Sequence, residues 1–160
     1  MFIVNENSKN LVGYCGLYCG ACGIYQGRIK QAVENLWKVI RIYGFDKIAP
    51  ELAKWEPAFQ HYKEFAEVMD GWVKIFGECP GCVKDGGDPE CGVRECCKQK
   101  GYALCVECGE MDGCATLQRY PWAADTLRQI KDMGADKWLS EMQKKVDAGY
   151  CSLDEALKQA

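Results

Sequence analysis

Histidine is almost missing from this sequence: His61 is the only one in 160 residues. That scarcity excludes a His-Glu-x-x-His metalloprotease helix, and no Ser/His/Asp set or phosphate-binding glycine loop is present either. His61 lies in an aromatic-rich stretch, where a helix-surface or core-edge position is preferred over a general-base role. Long apolar runs are missing too. None approaches the roughly 20 residues that span a bilayer, so no membrane association is expected. Met1 to Asn10 lacks the basic start and apolar stretch of a secretory leader. The expected location is cytoplasmic, where glutathione and thioredoxin keep thiols reduced. Positive charge is not in excess, since 20 Lys and Arg stand against 23 Asp and Glu for a formal net charge of −3. Binding that relies on phosphate neutralisation needs a clustered basic surface, so the balance argues against a nucleic-acid partner. The best basic group, Arg94, Lys98 and Lys100, is interleaved with Glu95 and reads as a solvated helix face, with anion binding a second reading.

Alternating strand patterns of useful length are also lacking, so the predicted fold is mainly α, a small helical domain with cysteine-rich zinc-knuckle segments and at most short β-hairpins. No Pro/Ser-rich linker divides the chain. Residues 1–160 are read as a single metal-stabilised domain, with cysteine-rich segments 14–23 and 79–114 and helical segments 24–76 and 115–160. Ile24 to Tyr43 carries Ile29, Val33, Leu36, Ile40 and Tyr43 at helical spacing and stops at Gly44. Asp46 to Trp55 suggests a shorter helix interrupted by Pro50. From Pro57 a stripe of Phe59, Tyr62, Phe65, Met69, Trp72 and Phe76 runs to Gly77, and with Trp55 it reads as a helix-packing core in preference to a ligand pocket. Further helices are expected at Gly92–Lys100, closed by Gly101, at Pro121–Met133, at Asp136–Ala148, and at Leu153–Gln159 behind a Ser152/Glu155 capping box.

Cysteine is what the chain has in abundance: twelve residues, eight of them between Gly77 and Cys114. Three pairs, Cys19-Gly-Ala-Cys22, Cys79-Pro-Gly-Cys82 and Cys105-Val-Glu-Cys108, have the two-residue spacing that lets a tight turn place two thiolates on one ion. Cys15, Cys91, Cys96 and Cys114 stand nearby as completing ligands. Cys97 is set about 100° from Cys96 on a helix, so the two are not expected to face one ion, and Cys151 reads as a packed or free thiol. Ten candidates therefore compete for two four-cysteine sites. In one grouping Cys79, Cys82, Cys91 and Cys96 form a local centre while Cys19, Cys22, Cys105 and Cys108 form the other. In the alternative, Cys79 and Cys82 join Cys105 and Cys108, and the second centre is drawn from Cys15, Cys19, Cys22, Cys91, Cys96 and Cys114.

Separated pairs favour structural zinc, two ions in all, over a compact ferredoxin-type run, although thiolates suit an iron–sulfur cluster as the alternative. Two such zinc centres would take the net charge to about −7. Cys15-x-x-x-Cys19-x-x-Cys22 also has the spacing of radical S-adenosylmethionine enzymes, but the strand–helix repeats of their barrel are missing. Thiol–disulfide exchange at Cys79-Pro-Gly-Cys82 lacks its usual strand before and long helix after.

The ordered set Tyr14-Cys15-Gly16-Leu17-Tyr18-Cys19-Gly20-Ala21-Cys22, Cys79-Pro80-Gly81-Cys82, Cys91-Gly92-Val93-Arg94-Glu95-Cys96 and Lys100-Gly101 running into Cys105-Val106-Glu107-Cys108 resembles an uncharacterised cysteine-rich prokaryotic family, domain of unknown function 3795. The resemblance implies a small cytoplasmic protein with a zinc-binding role and no established reaction. Met111-Asp112-Gly113-Cys114 departs from the aromatic-Pro-Cys ending of that family, which sets Cys114 apart from the other carried-over positions. The expectation is a zinc-stabilised binding or regulatory module with no assigned catalytic residue. A thiol- or metal-dependent enzyme with an aromatic small-molecule pocket near Tyr14, Tyr18 or Tyr25, and a metal sensor or trafficking protein, are the alternatives. A protein partner or a small-molecule ligand is left open.

Overall fold

The structure is a computed structural model and describes residues 6–159, so the first residues of the segment read for a leader lie outside it. It is mainly α, 69% helical, with no strand among the described residues. The expected hairpins reduce to one antiparallel bridge, Val12 to Tyr18. In chain order the helices are α1 (Glu6–Lys9), α2 (Arg28–Tyr43), α3 (Phe45–Leu52), α4 (Tyr62–Phe76), α5 (Gly92–Lys100), α6 (Ala115–Gln118), α7 (Pro121–Met133), α8 (Ala135–Asp147) and α9 (Ser152–Gln159). Short 3-10 turns fill Cys19–Ala21, Pro57–His61, Cys82–Lys84, Cys105–Glu107 and Met111–Gly113. No helix is long and apolar enough to cross a membrane among the described residues.

Two compact units divide the chain, Gly27–Cys79 and the remainder. Gly27–Cys79 holds α2, α3 and α4. Here α2 begins at Arg28, four residues later than its pattern suggests, because Gly27 turns left-handed at φ 71. Pro50 is accommodated inside α3, whose end follows two residues later at Leu52. A proline late in a short helix leaves only the carbonyl one turn back without its partner, and that residue, Asp46, is exposed to water. The aromatic stripe does not form a closed core. Met69 is buried and Tyr62 and Phe65 lean on Trp37, yet Trp72 is 50% exposed and Trp55 86%. His61 is exposed at the end of its turn.

The other unit contains two adjoining apolar clusters. One gathers Val93, Cys97, Met111, Leu117, Ala123 and Leu127; the other gathers Tyr18, Ala21, Ile130, Trp138 and Leu139. Helix α7 serves both, because Ala123, Leu127 and Ile130 recur at four- and three-residue intervals on one face. Gly16 (φ 82) sits on this face, where a side chain would press on Thr126, Leu127 and Ile130. The buried Tyr18 packs edge-on against Trp138 at 6.3 Å and donates its hydroxyl hydrogen to Gln143 Oε1 at 2.6 Å. Gly20 lies over that phenol ring; a Cβ there would come within 2.6 Å of it, so no larger residue fits. At the chain's end α9 opens at Ser152, one residue before its predicted start, and the Ser152 hydroxyl donates to the Ala21 carbonyl at 3.0 Å.

Arg94 does not belong to a solvated face with Lys98 and Lys100; it is 7% exposed. Its guanidinium donates to the carbonyls of Gly86 (2.8 Å), Asp88 (2.5 Å) and Pro89 (3.3 Å) and lies 3.4 Å from Asp85 Oδ1. The Asp85–Pro89 loop has little apolar surface of its own, so a planar five-donor group replaces a core there. Arg94→Ala should cost about 2–4 kcal/mol in urea unfolding, since it strands several acceptors at once, and Arg94→Lys should recover little of it. A loss below about 1 kcal/mol would show that the loop holds its path without the clamp.

Candidate metal centre

Two of the three cysteine pairs share one backbone design. Cys19 opens a 3-10 turn and the Cys22 N–H returns to the Cys19 carbonyl at 2.9 Å; Cys105 opens another and the Cys108 N–H returns to the Cys105 carbonyl at 3.0 Å. Cys22 and Cys108 then leave in similar extended conformations, φ −77, ψ 130 and φ −84, ψ 123. The Glu107 carboxylate fixes the approach to the second knuckle by accepting from the N–H groups of Ala103 and Leu104. The Cys105 N–H donates to the Tyr14 carbonyl at 2.9 Å, tying that knuckle to the N-terminal loop. Gln26 holds the first knuckle to the C-terminal segment, its amide donating to the carbonyls of Gly20 and Tyr150.

All twelve cysteines are free thiols. They collect into two groups that neither sequence grouping anticipates, because both groupings separate Cys19 from Cys82. The structure places these two together: the Cys82 N–H donates to Cys19 Sγ at 3.3 Å, and the Cys82 thiol donates to the same sulfur. The charges of Cys15 and Cys22 reach Cys82 as well. In the second group Cys97 Sγ and Cys105 Sγ are 3.4 Å apart. Cys96, Cys97, Cys105, Cys108 and Cys114 line one cavity of about 490 Å³, with Lys100 in its wall. Cys15 lies within electrostatic reach of Cys91 and Cys105, and the Tyr120 hydroxyl donates to Asp88 Oδ2 at 3.5 Å. Cys79 is the last residue of the Gly27–Cys79 unit. Cys151 is buried, a packed thiol.

Cys97 is the residue that spacing arguments set aside. A signal for it was present, since Val93 and Cys97 form the apolar i, i+4 pair of α5 while Glu95, Lys98 and Gln99 point outward. Cys96 and Cys97 line the same cavity despite their angular separation, together with Lys100 at the last residue of α5.

The thiols are electrostatically unequal. The hydrogen bond from Cys82 lowers Cys19 to about 7; burial opposes this and the Cys82 N–H assists. The same bond, with burial and the Cys19 charge, drives Cys82 far upward. Burial lifts Cys15 to about 11 and raises Cys105 and Cys97. Lys100 is held in its charged form by the neighbouring Cys108 and Cys96. Among the described residues, no three His, Cys, Asp or Glu side chains converge tightly enough to be a ready-made metal site.

A family model described as protein of unknown function (DUF3795) matches residues 11–119, a span that includes both sulfur groups. The chain belongs to this family. No curated protein and no solved structure matches it. The DUF3795 match ends before α7, so the helix that carries both apolar clusters lies beyond the family's matched span.

In chelator-treated protein the first thiolate seen by ultraviolet titration should be Cys19, with a midpoint of about 7, and Cys82→Ala should move it up toward 9.0. An unchanged midpoint would remove Cys82 as the donor. Because folding lowers the Cys19 value, its contribution to stability is full above 9.0 and is lost as pH falls through about 7. Cys15, raised in the fold, acts oppositely: its contribution is full below 9.0 and is lost as pH rises through about 11. Melting temperatures across this range, with Cys15→Ala as the comparison, check both signs.

Proposed function

We propose that this chain is a cytoplasmic zinc-binding module in which thiolates from sequence-distant segments hold two ions, and that the metal-stabilised surface serves binding or regulation. The observation that carries this reading is the cavity walled by five thiols, with Cys97 and Cys105 at 3.4 Å. Two thiolates on a tetrahedral zinc at about 2.3 Å lie roughly 3.8 Å apart, so this pair needs to open by only a few tenths of an ångström. Cys108 and Cys114, on opposite sides of the Met111–Gly113 turn, are the sulfurs that would complete the set, with Cys96 in reserve. Around the other ion, Cys19 and Cys82 would be joined by Cys22 and Cys15. The donor chemistry fits: the thiols are free, soft and already in proximity. Zinc would stabilise the thiolate forms that burial disfavours at Cys15 and Cys105, and that the Cys19 bond and burial disfavour at Cys82.

The room in the five-thiol cavity is the feature that would suit an iron–sulfur cluster instead. Elemental analysis of protein purified without added metal separates the two. The expected content is about two zinc per chain, falling to about one in Cys105→Ser with a melting temperature lower by about 5 °C or more. Cys151→Ser should keep the full complement of metal. Brown protein containing iron and sulfide would replace zinc in this reading, and protein isolated without metal would overturn it.

A further inference from the structure

Twelve of the sixteen exposed large hydrophobic side chains belong to Gly27–Cys79, a third of the chain. Their arrangement is ordered. Helices α2 and α4 run antiparallel, since Lys30 Nζ lies 3.9 Å from Glu78 Oε1 at one end while Trp37 meets Phe65 at 5.9 Å further along. At about 100° per residue, Leu36, Val39, Ile42 and Tyr43 share one arc of α2, and Phe65, Val68, Trp72 and Ile75 share one arc of α4. Each arc is rotated in the same sense from the helix's buried residues, Val33 and Ile40 on α2 and Met69 on α4. In an antiparallel pair, equal rotation brings both arcs to the same side. The charged residues turn the other way: Glu34, Lys38 and Arg41 of α2 and Asp70 and Lys74 of α4 surround one shallow pocket. The hairpin thus has a charged side and an apolar side. Between Ala32 and Tyr43, and between Phe65 and Phe76, no charged residue falls within the apolar arcs.

We infer that this face is a homodimer interface, closed by the same face of a second copy of the chain. Ile42 is 80% exposed and Tyr43 68%, and only Val33, Ile40, Ala49 and Met69 are buried among the apolar residues of the unit, too few to account for so apolar a surface. Weighted by exposure, the eight side chains offer on the order of 800 Å² of surface, which is about what each partner buries in a standard interface. A monomer's exposed apolar patches are usually a few hundred Å². With charge on this side confined to the first turn of each helix, at Arg28 and Glu64, the layer meets little repulsion from its own copy, and two hairpins stacked about a twofold axis make a four-helix packing. A lipid surface is a poorer occupant, because the charged side mixes Glu34 and Asp70 with Lys38, Arg41 and Lys74 and the chain is net negative.

Sedimentation velocity on the full chain as purified, from low to high micromolar concentration, tests the inference. The expected result is a dimer with micromolar or tighter affinity, weakened at least about 30-fold by Trp72→Glu. Ile42→Lys, at a position with little to lose in folding, should act alike, while Lys38→Glu on the charged side should leave the dimer intact. Helical circular dichroism and metal content should be unchanged in Ile42→Lys and Lys38→Glu. A wild-type monomer throughout, or a dimer that survives Ile42→Lys, would overturn the inference. So would a monomer that floats with phosphatidylglycerol vesicles, which would hand the face to lipid.

Discussion

Cys97 and Cys105 hold their sulfur atoms 3.4 Å apart in the wall of a cavity that three further thiols share. Packed thiols of this kind resist ionisation, since burial disfavours the thiolate and each neighbouring thiolate adds to the cost. Where Cys82 meets Cys19 the constraint falls on Cys82 alone, which is driven upward while Cys19 is lowered. Two arrangements relieve it: protonated sulfurs joined by weak hydrogen bonds, as seen here, or thiolates gathered around a cation. The second frees far more interaction energy, and for that reason the sulfur groups are read as sites rather than as ordinary buried cysteines.

Around these groups the fold adds specific polar and steric fits to the apolar cluster in which Cys97 is packed. Arg94 fixes the Asp85–Pro89 loop through three carbonyls, and that loop sets the path of the chain after Cys82. Glu107 and the Tyr14 carbonyl position the Cys105 knuckle. Tyr18, held by Trp138 and Gln143, supports the turn that begins at Cys19. Conventional packing enters from the C-terminal side, where α7 and α8 supply Leu127, Ile130, Trp138 and Leu139. The α2–α4 hairpin follows another logic, a thin seam with apolar side chains left toward solvent.

Helix punctuation is legible in this sequence. Gly101 closes α5 at Lys100 and Pro121 opens α7, so both helices have the bounds that their punctuation suggests. The mainly helical class followed from the missing alternation and is what the fold shows. What the pattern could not convey was non-local. Sulfur pairing depends on the three-dimensional path of loops whose residues carry no periodicity, so Cys19 with Cys82 and Cys97 with Cys105 were not foreseeable from spacing. Arg94 looked like a surface cation because its partners are backbone carbonyls, which leave no trace in side-chain composition. The stripe on α4 was legible as apolar, but periodicity shows only that a face is apolar and not what covers it.

X-ray absorption at the metal edge of protein isolated without added metal tests the central claim most directly, because it reads the ion and its neighbours together. The account predicts a zinc edge with an all-sulfur shell at about 2.3 Å. A shell dominated by nitrogen or oxygen, or no bound metal with the thiols free or joined as disulfides, would contradict it.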